Sequence, residues 1–257
     1  MRDIFTRRWG ATFVLSTDGT MESPGASYHT AADLGLLPAA SPVFEPAEPK
    51  YIFTDIPGAD GGVDRTEELT GYVVYSQTSG VMSYYVRGSD RKRRAAHTRL
   101  KRLLHGKLAR IILDEDRSYF RWGRIWVGDL MEVSAAGRVD ISARVDPYKY
   151  ELISAKDAWL WDPFSFVDGV IRSYAGLTHA AGGTNNVTVV SSPRGGVPKI
   201  TSTAAMTMIY DGTSYSVPAG TTEFPEIELP HEQTECLFKF TGSTAGTFSI
   251  DFRPGVL

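Results

Sequence analysis

The chain has 257 residues, 42 % of them hydrophobic and 22 % charged, a formal net charge of −3 and one cysteine, Cys236. This is the composition of an ordinary globular protein of one large or two average domains. It excludes a global attraction to nucleic acid or an anionic membrane and an internal disulfide, and no run approaches the ~18 apolar residues of a membrane span.

The opening, MRDIFTRRWGATFVLS, is basic, but its apolar run falls short of the roughly 7–15 residues of a secretory signal. No signal peptide is therefore expected, and the chain is expected to fold first in a cytoplasm. Pro38, Pro42, Pro46 and Pro49 follow in LLPAASPVFEPAEP. That stretch can be neither helix nor central strand and reads as an extended, partly polyproline-like strap.

Next comes YIFTDIPGADGGVDRTEELTG, residues 51–71. Pro57-Gly58 suits the centre of a type II turn, and Asp60-Gly61 suits a second tight turn of the hairpin kind. Asp64 could cap one helical turn, with Thr66 inside it and Glu67 reaching back as in a capping box. No lysine follows the glycines as a phosphate loop requires, and the oxygen ligands of a calcium loop are out of place. The stretch therefore reads as a structural double turn.

From Gly58 to Asp146 there is no proline, and regular structure is expected to be densest there. TGYVVYSQ and VMSYYVRG read as strands. SDRKRRAAHTRLKRLLHGKL predicts a helix over about 90–105: Ser89 or Asp90 caps it, Ala96, Leu100, Leu103 and Leu104 share a face, and Gly106 ends it. LARIILDEDRSYFRWGRIWVGDL reads as strand, acidic turn, strand. MEVSAAGRVDISARVD reads as a hairpin turning near Ala136-Gly137, with Val139, Ile141, Ala143 and Val145 alternating. Beyond a boundary near 147–165 the texture becomes rich in Thr, Ser and Gly. NNVTVVSS, KITSTAAMTMIYDG, EFPEIELP, ECLFKFTG and GTFSIDFR read as the strands of a β-sandwich.

Catalytic chemistry finds little support. The carboxylates of DEDR, Asp114 to Arg117, have no histidine near them in sequence and read as a turn. His29, His97, His105, His179 and His231 are scattered, with His97 and His105 too far apart on the helix to chelate one metal. No zinc, thiol-redox or nucleophile-elbow motif appears, so no catalytic, cofactor-binding or metal residue is assigned. The helix carries Arg91, Lys92, Arg93, Arg94, Arg99, Lys101 and Arg102, with Lys107 and Arg110 just beyond. A nucleic-acid footprint is one reading and a solvated or protein-docked face the other. No aromatic is interleaved to stack on bases, which favours protein contact. Residues 1–150 hold 21 basic against 19 acidic side chains, a formal +2, and residues 151–257 hold 6 against 11, a formal −5. Basic and acidic portions could therefore meet between subunits.

Four stretches together resemble the distal tail protein family of siphophages, often abbreviated Dit. They are YHTAADLGLL with YIFTDIPGADGGVDRTEELTG, similar to that family's IPG-x-D-G-x-x-D-x-T-E signature; LKRLLHGKLARIILDEDRSYFRWGRI; VDPYKY; and the ending GTFSIDFRPGVL. The resemblance runs over roughly residues 28–257 and leaves residues 1–27 outside it. It implies a mainly β protein of two β-sandwich-type domains with one amphipathic basic helix. Residues 1–50 would supply an N-terminal segment and the strap, 51–152 a ring-forming domain, and 153–257 a galectin-like sandwich. The implied function is a structural virion protein, without catalysis or cofactor, at the tail tip, made and assembled in the bacterial host cytoplasm. It would form a homo-hexameric ring whose channel passes DNA without binding it specifically. The ring would join the tail tube protein to the tail-associated tip protein, and the outer domain would hold a receptor-binding protein or side fibre. An alternative is a carbohydrate-binding module in host adsorption, with Trp159, Trp161 and Tyr174 as stacking platforms. A tip enzyme has no supporting constellation.

Overall fold

The computed structural model describes residues 9–133, 136–157 and 169–257. It is mainly β, with one helix among the described residues, and it divides into two compact units, Met1–Lys149 and Tyr150–Leu257.

The first unit is built on one antiparallel sheet. Its strands are β1 (Ala11–Ser16), β2 (Pro24–His29), β3 (Leu37–Pro38), β4 (Val43–Phe44), β7 (Thr78–Val86), β8 (Leu108–Leu113), β9 (Asp116–Val133) and β10 (Ala136–Glu151). They lie in the order β2-β1-β8-β9-β10-β7-β3, with β4 also on β7. Alternation sets the register. Val139, Ile141 and Ala143 of β10 face Tyr84, Met82 and Gly80 of β7, and all but the glycine put side chains into a core with Phe13, Ile111, Ile125 and Val127. The helix α1 (Asp90–Leu104) closes this core with Leu100 and Leu104, while Ala96 and Leu103 pack at its margin. Each such side chain contributes roughly 1.5–3 kcal/mol when fully buried. Ser89 is the N-cap without a side-chain hydrogen bond, and Gly106, at φ +74°, adopts the left-handed backbone that ends the helix.

The strap of prolines is an edge strand in two pieces. Leu37–Pro38 pairs with Tyr85 and Tyr84, and Val43–Phe44 with Val81 and Gly80, an edge being where prolines do least harm to a ladder. A Cβ on Gly80 would lie 2.1 Å from the Phe44 ring, so this strap position requires glycine beneath it. Pro147 lies inside β10, beyond the last β7 pair at Val145 and Thr78. Ala136 and Gly137, expected to turn, are already strand, with Gly137 opposite Val86. The expected strand TGYVVYSQ contributes only an isolated bridge, Tyr75 to Pro49.

The second unit is a sandwich of two four-stranded sheets. One has the order β11 (Leu177–His179), β18 (Gly246–Asp251), β13 (Lys199–Ser202), β16 (Gly220–Glu223). The other has the order β12 (Thr184–Val190), β17 (Glu235–Thr241), β14 (Met206–Tyr210), β15 (Thr213–Val217). Ile200, Phe248 and Ile250 of the first sheet share a core with Val189, Met208, Val217, Phe238 and Phe240 of the second. Phe240 and Phe248 bring their ring centroids to 4.4 Å. KITSTAAMTMIYDG is two strands, one in each sheet, and Asp211 (φ +47°) with Gly212 (φ +73°) makes the tight turn into β15. EFPEIELP is not a strand: past Glu223 it runs in turns that bury Phe224, Ile227 and Leu229. Pro225 and Pro230 deny it ladder hydrogen bonds.

This unit begins and ends at one clamp. Arg172 donates from Nε to the Val190 carbonyl and from Nη2 to the Ser191 carbonyl, each at 2.8 Å, and pairs through Nη1 with the Glu151 carboxylate. Arg253 donates to the Glu151 carbonyl at 3.0 Å, and the Glu151 N–H donates to the Pro254 carbonyl at 3.1 Å. The last strand, β19 (Gly255–Val256), follows directly.

Candidate functional site

The first unit extends an arm. Beyond β4 and β7 the two chains stay paired, with Glu45 N donating to Ser79 O at 3.0 Å, Ser76 N to Glu48 O at 2.8 Å and Lys50 N to Val74 O at 2.8 Å. They then run into a ribbon of β5 (Phe53–Asp55) and β6 (Gly62–Asp64), in register Phe53 to Asp64 and Asp55 to Gly62. At its tip Ala59 N donates to Ile56 O at 3.1 Å and Gly58 has φ +85°, the geometry of a type II turn around Pro57-Gly58. Gly61, at φ +75°, turns the chain back after Asp60.

The capping box expected at Asp64 and Glu67 does not form. Asp64 instead accepts from Thr66 N at 2.9 Å and from Thr66 Oγ1 at 2.5 Å, and residues 66–70 are turns rather than helix. The short Asp64–Thr66 loop lets the carboxylate satisfy the nearest donors, a local alternative to helix. These bonds, with that from the Thr66 hydroxyl foremost, hold the Asp64 carboxyl below the usual carboxylate range. Arg65 pairs with Glu68 and lowers its carboxyl likewise. Gly71 (φ +76°) closes the turn, its N–H donating to Glu67 O at 2.7 Å.

Every residue from Tyr51 to Arg65 is exposed. That includes Tyr51, Ile52, Phe53, Ile56 and Val63, between 41 % and 65 % exposed, and Leu69 beyond them is 85 % exposed. A two-stranded ribbon is at best marginally stable alone in water, and grouped apolar exposure of this kind marks an interaction surface. At the arm's base a cup of about 590 Å³ is lined by Tyr51, Tyr75, Asp64, Arg65, Glu67 and Glu68, among others.

The seven cations assigned to α1 divide. Arg93 is buried and pairs with Asp90 at 2.6 Å and with Glu132 at 2.5 Å, while donating to the Gly88 carbonyl at 2.9 Å. It fastens the helix to β9 and is not part of an outer face. Lys101 donates to Asp129 at 3.1 Å, and this bond holds the Asp129 carboxyl below its usual range. His97 bonds the Gly128 carbonyl at 2.8 Å. Arg91, Lys92, Arg94, Arg99 and Arg102 are exposed.

Two of the three DEDR carboxylates, Asp114 and Asp116, are engaged structurally. Ala32 N donates to His29 Nδ1 at 3.1 Å, so His29 Nε2 carries the proton and donates to Asp114 at 3.0 Å. Asp114 also pairs with Arg117 at 3.2 Å, and Asp116 with Lys149 at 3.1 Å. Among the described residues no group of three or more His, Cys, Asp or Glu is placed to hold a metal ion. Burial pushes the Cys236 thiol up. Tyr174 is buried, with its hydroxyl accepting from Val190 N at 2.8 Å and its ring stacked near Phe252. It cannot serve as a glycan platform, and Trp159 and Trp161 lie outside the described residues. The exposed aromatic edge of the arm was the feature that sequence reasoning missed. Its signal was Tyr51-Ile52-Phe53, three apolar residues in a row between a proline strap and a turn, with no alternation to give them a buried side.

Arm, edge strap and basic helix together define a mainly β, two-unit protein whose notable surface is suited to macromolecular contact. No family model matches the chain, and no curated protein matches it. Among solved structures it is similar to the Dit protein (gp 19.1) of phage SPP1, described as a paradigm of hub adsorption apparatus in phages infecting Gram-positive hosts. The TM-score is 0.55 and the identity 16 %, over 95 % of this chain and 99 % of that one. The two share a fold across both units.

Proposed function

We propose that this protein is a structural hub of a phage tail tip, assembled as a homo-hexameric ring through its first unit. The ring joins the tail tube protein on one side to a tail-associated tip protein on the other, and its channel passes DNA without specific binding. The second unit, a galectin-like sandwich, faces outward and holds a receptor-binding protein or side fibre. The observation that carries this reading is the exposed apolar ribbon of Tyr51–Val63, which nothing within its own chain covers among the described residues. Support comes also from the fold shared with SPP1 Dit along nearly the whole chain and from the resemblance of the signature stretches. Ring closure needs a heterologous interface in which two different surfaces of each copy meet, and a projecting arm supplies one of them.

The test is sedimentation velocity with negative-stain imaging of the full chain, beside a variant in which residues 52–66 are replaced by a short Gly-Ser turn. The expected result is a holed hexamer for the wild type and a folded monomer for the variant. A wild type that stays monomeric at every concentration, or a shortened arm that leaves the ring unchanged, overturns the reading.

A further inference from the structure

We infer that the acidic arm of one copy docks on the exposed arginine stripe of α1 in the neighbouring copy, whose guanidinium groups enter the tyrosine-lined cup at the arm's base. This rests on the ring reading above and names the two surfaces that close it.

The cup has the chemistry of an arginine receptor. Tyr51 and Tyr75 line it with aromatic rings, and Asp64 and Glu67 supply carboxylates beside the Arg65–Glu68 pair, in a concavity of about 590 Å³. A guanidinium stacks on aromatic rings and pairs with carboxylates at the same time, which an ammonium does less well. Residues 51–71 hold five carboxylates, Asp55, Asp60, Asp64, Glu67 and Glu68, against the single cation Arg65, a net −4. Asp64 is held by neutral donors and keeps its charge. Asp55, Asp60 and Glu67 face no cation among the described residues.

The complementary surface is on α1. Arg91, Arg94, Thr98 and Arg102 are spaced three and four apart and so share one face. That face is about 16 Å long at the helical rise, and Lys92 and Arg99 flank it. All five cations are exposed, and none has an anionic partner among the described residues, whereas Arg93 and Lys101 are consumed by β9. The two surfaces lie on different parts of the unit. The arm leaves the sheet edge made by β4 and β7, while α1 is fastened to β9, two strands inward. A contact between them is therefore heterologous and propagates from copy to copy until it closes. Duplex DNA is the competing occupant of the stripe, since exposed arginines also pair with phosphates, but it would leave the acidic cup unfilled.

The experiment is charge exchange in the full chain. The arm variant is Asp60→Arg with Glu67→Arg, and the helix variant is Arg94→Glu with Arg102→Glu. All four side chains are exposed and make no hydrogen bond or ion pair among the described residues, so circular dichroism should be unchanged. Arg91→Glu with Arg99→Glu serves as a second helix variant. Each variant should raise the concentration needed for ring assembly at least ~10-fold, as repulsion replaces attraction. The chain carrying both reversals should recover toward wild type. If the reversals leave a wild-type ring intact, or if the combined chain assembles worse than either parent, the docking is overturned and the ring reading stands. If the wild type forms no ring, both fall. Retardation of duplex DNA that the helix reversal abolishes, with assembly unaffected, assigns the stripe to phosphate and also overturns the docking.

Discussion

Replacing Glu151 by Ala should destabilise the second unit by removing one partner of a buried charge pair. The Arg172 side chain is 3 % exposed and the Glu151 side chain 18 %. Breaking a buried pair from one side costs about 3–5 kcal/mol, because the remaining charge stays desolvated. Arg172 keeps the Val190 and Ser191 carbonyls, and the partial exposure of Glu151 lets water take the place of the carboxylate. The lower end, about 3 kcal/mol, is therefore expected. At roughly 4 °C per kcal/mol for a unit of this size, Tm should fall by about 12 °C. Differential scanning calorimetry of the full chain measures it. The double variant Glu151→Leu with Arg172→Met removes both charges and should recover at least half of the loss, the remainder being the two unpaired carbonyls. A single variant that loses less than about 2 °C, or a double variant no better than the single, would refute the desolvation argument.

Gly80→Ala should push Phe44 off β7, since the new Cβ meets its ring at 2.1 Å. A cost of about 1–3 kcal/mol and faster proteolytic cleavage between residues 44 and 50 are expected. Leu104→Ala empties a fully buried position in the last turn of α1 and should cost about 2–5 kcal/mol in a chemical-denaturation curve. Asp18 titrates at about 2, lowered from 3.8 chiefly by the Ser23 hydroxyl and then by Thr20. Its folded pKa lies below its unfolded one, so its stabilising contribution is present above about 4 and lost as pH falls through about 2. NMR titration of Ser23→Ala should show the midpoint moving back up toward the ordinary carboxylate value, and an unmoved midpoint would disprove the assigned cause.

Much of the fold was legible where local pattern and tertiary environment agree. Leu100 and Leu104 at helical spacing, and Val139, Ile141 and Ala143 in alternation, announce buried faces that the structure uses as such. The proline strap was legible as non-helical, but its place along β7 was not, because pairing partners are fixed by long-range register. Arg93 looks in sequence like its neighbours in RKRR, and only the fold brings up Glu132, 39 positions on, to bury it. In sequence Tyr174 reads like any aromatic near a junction, and only packing distinguishes it as buried. EFPEIELP shows the reverse error: its apolar residues reach the core from turns, so burial alone did not make it a strand.

The clamp at Glu151 has a practical side. Because the chain enters the second unit and leaves it at hydrogen-bonded neighbours, Glu151 and Pro254, the unit is a cassette with both leads on one side. An exchange of everything between these two points for another compact domain with adjacent ends need not reroute the flanking chain. By the same token a label fused after Leu257 reports on the entrance of the cassette and not on its far end.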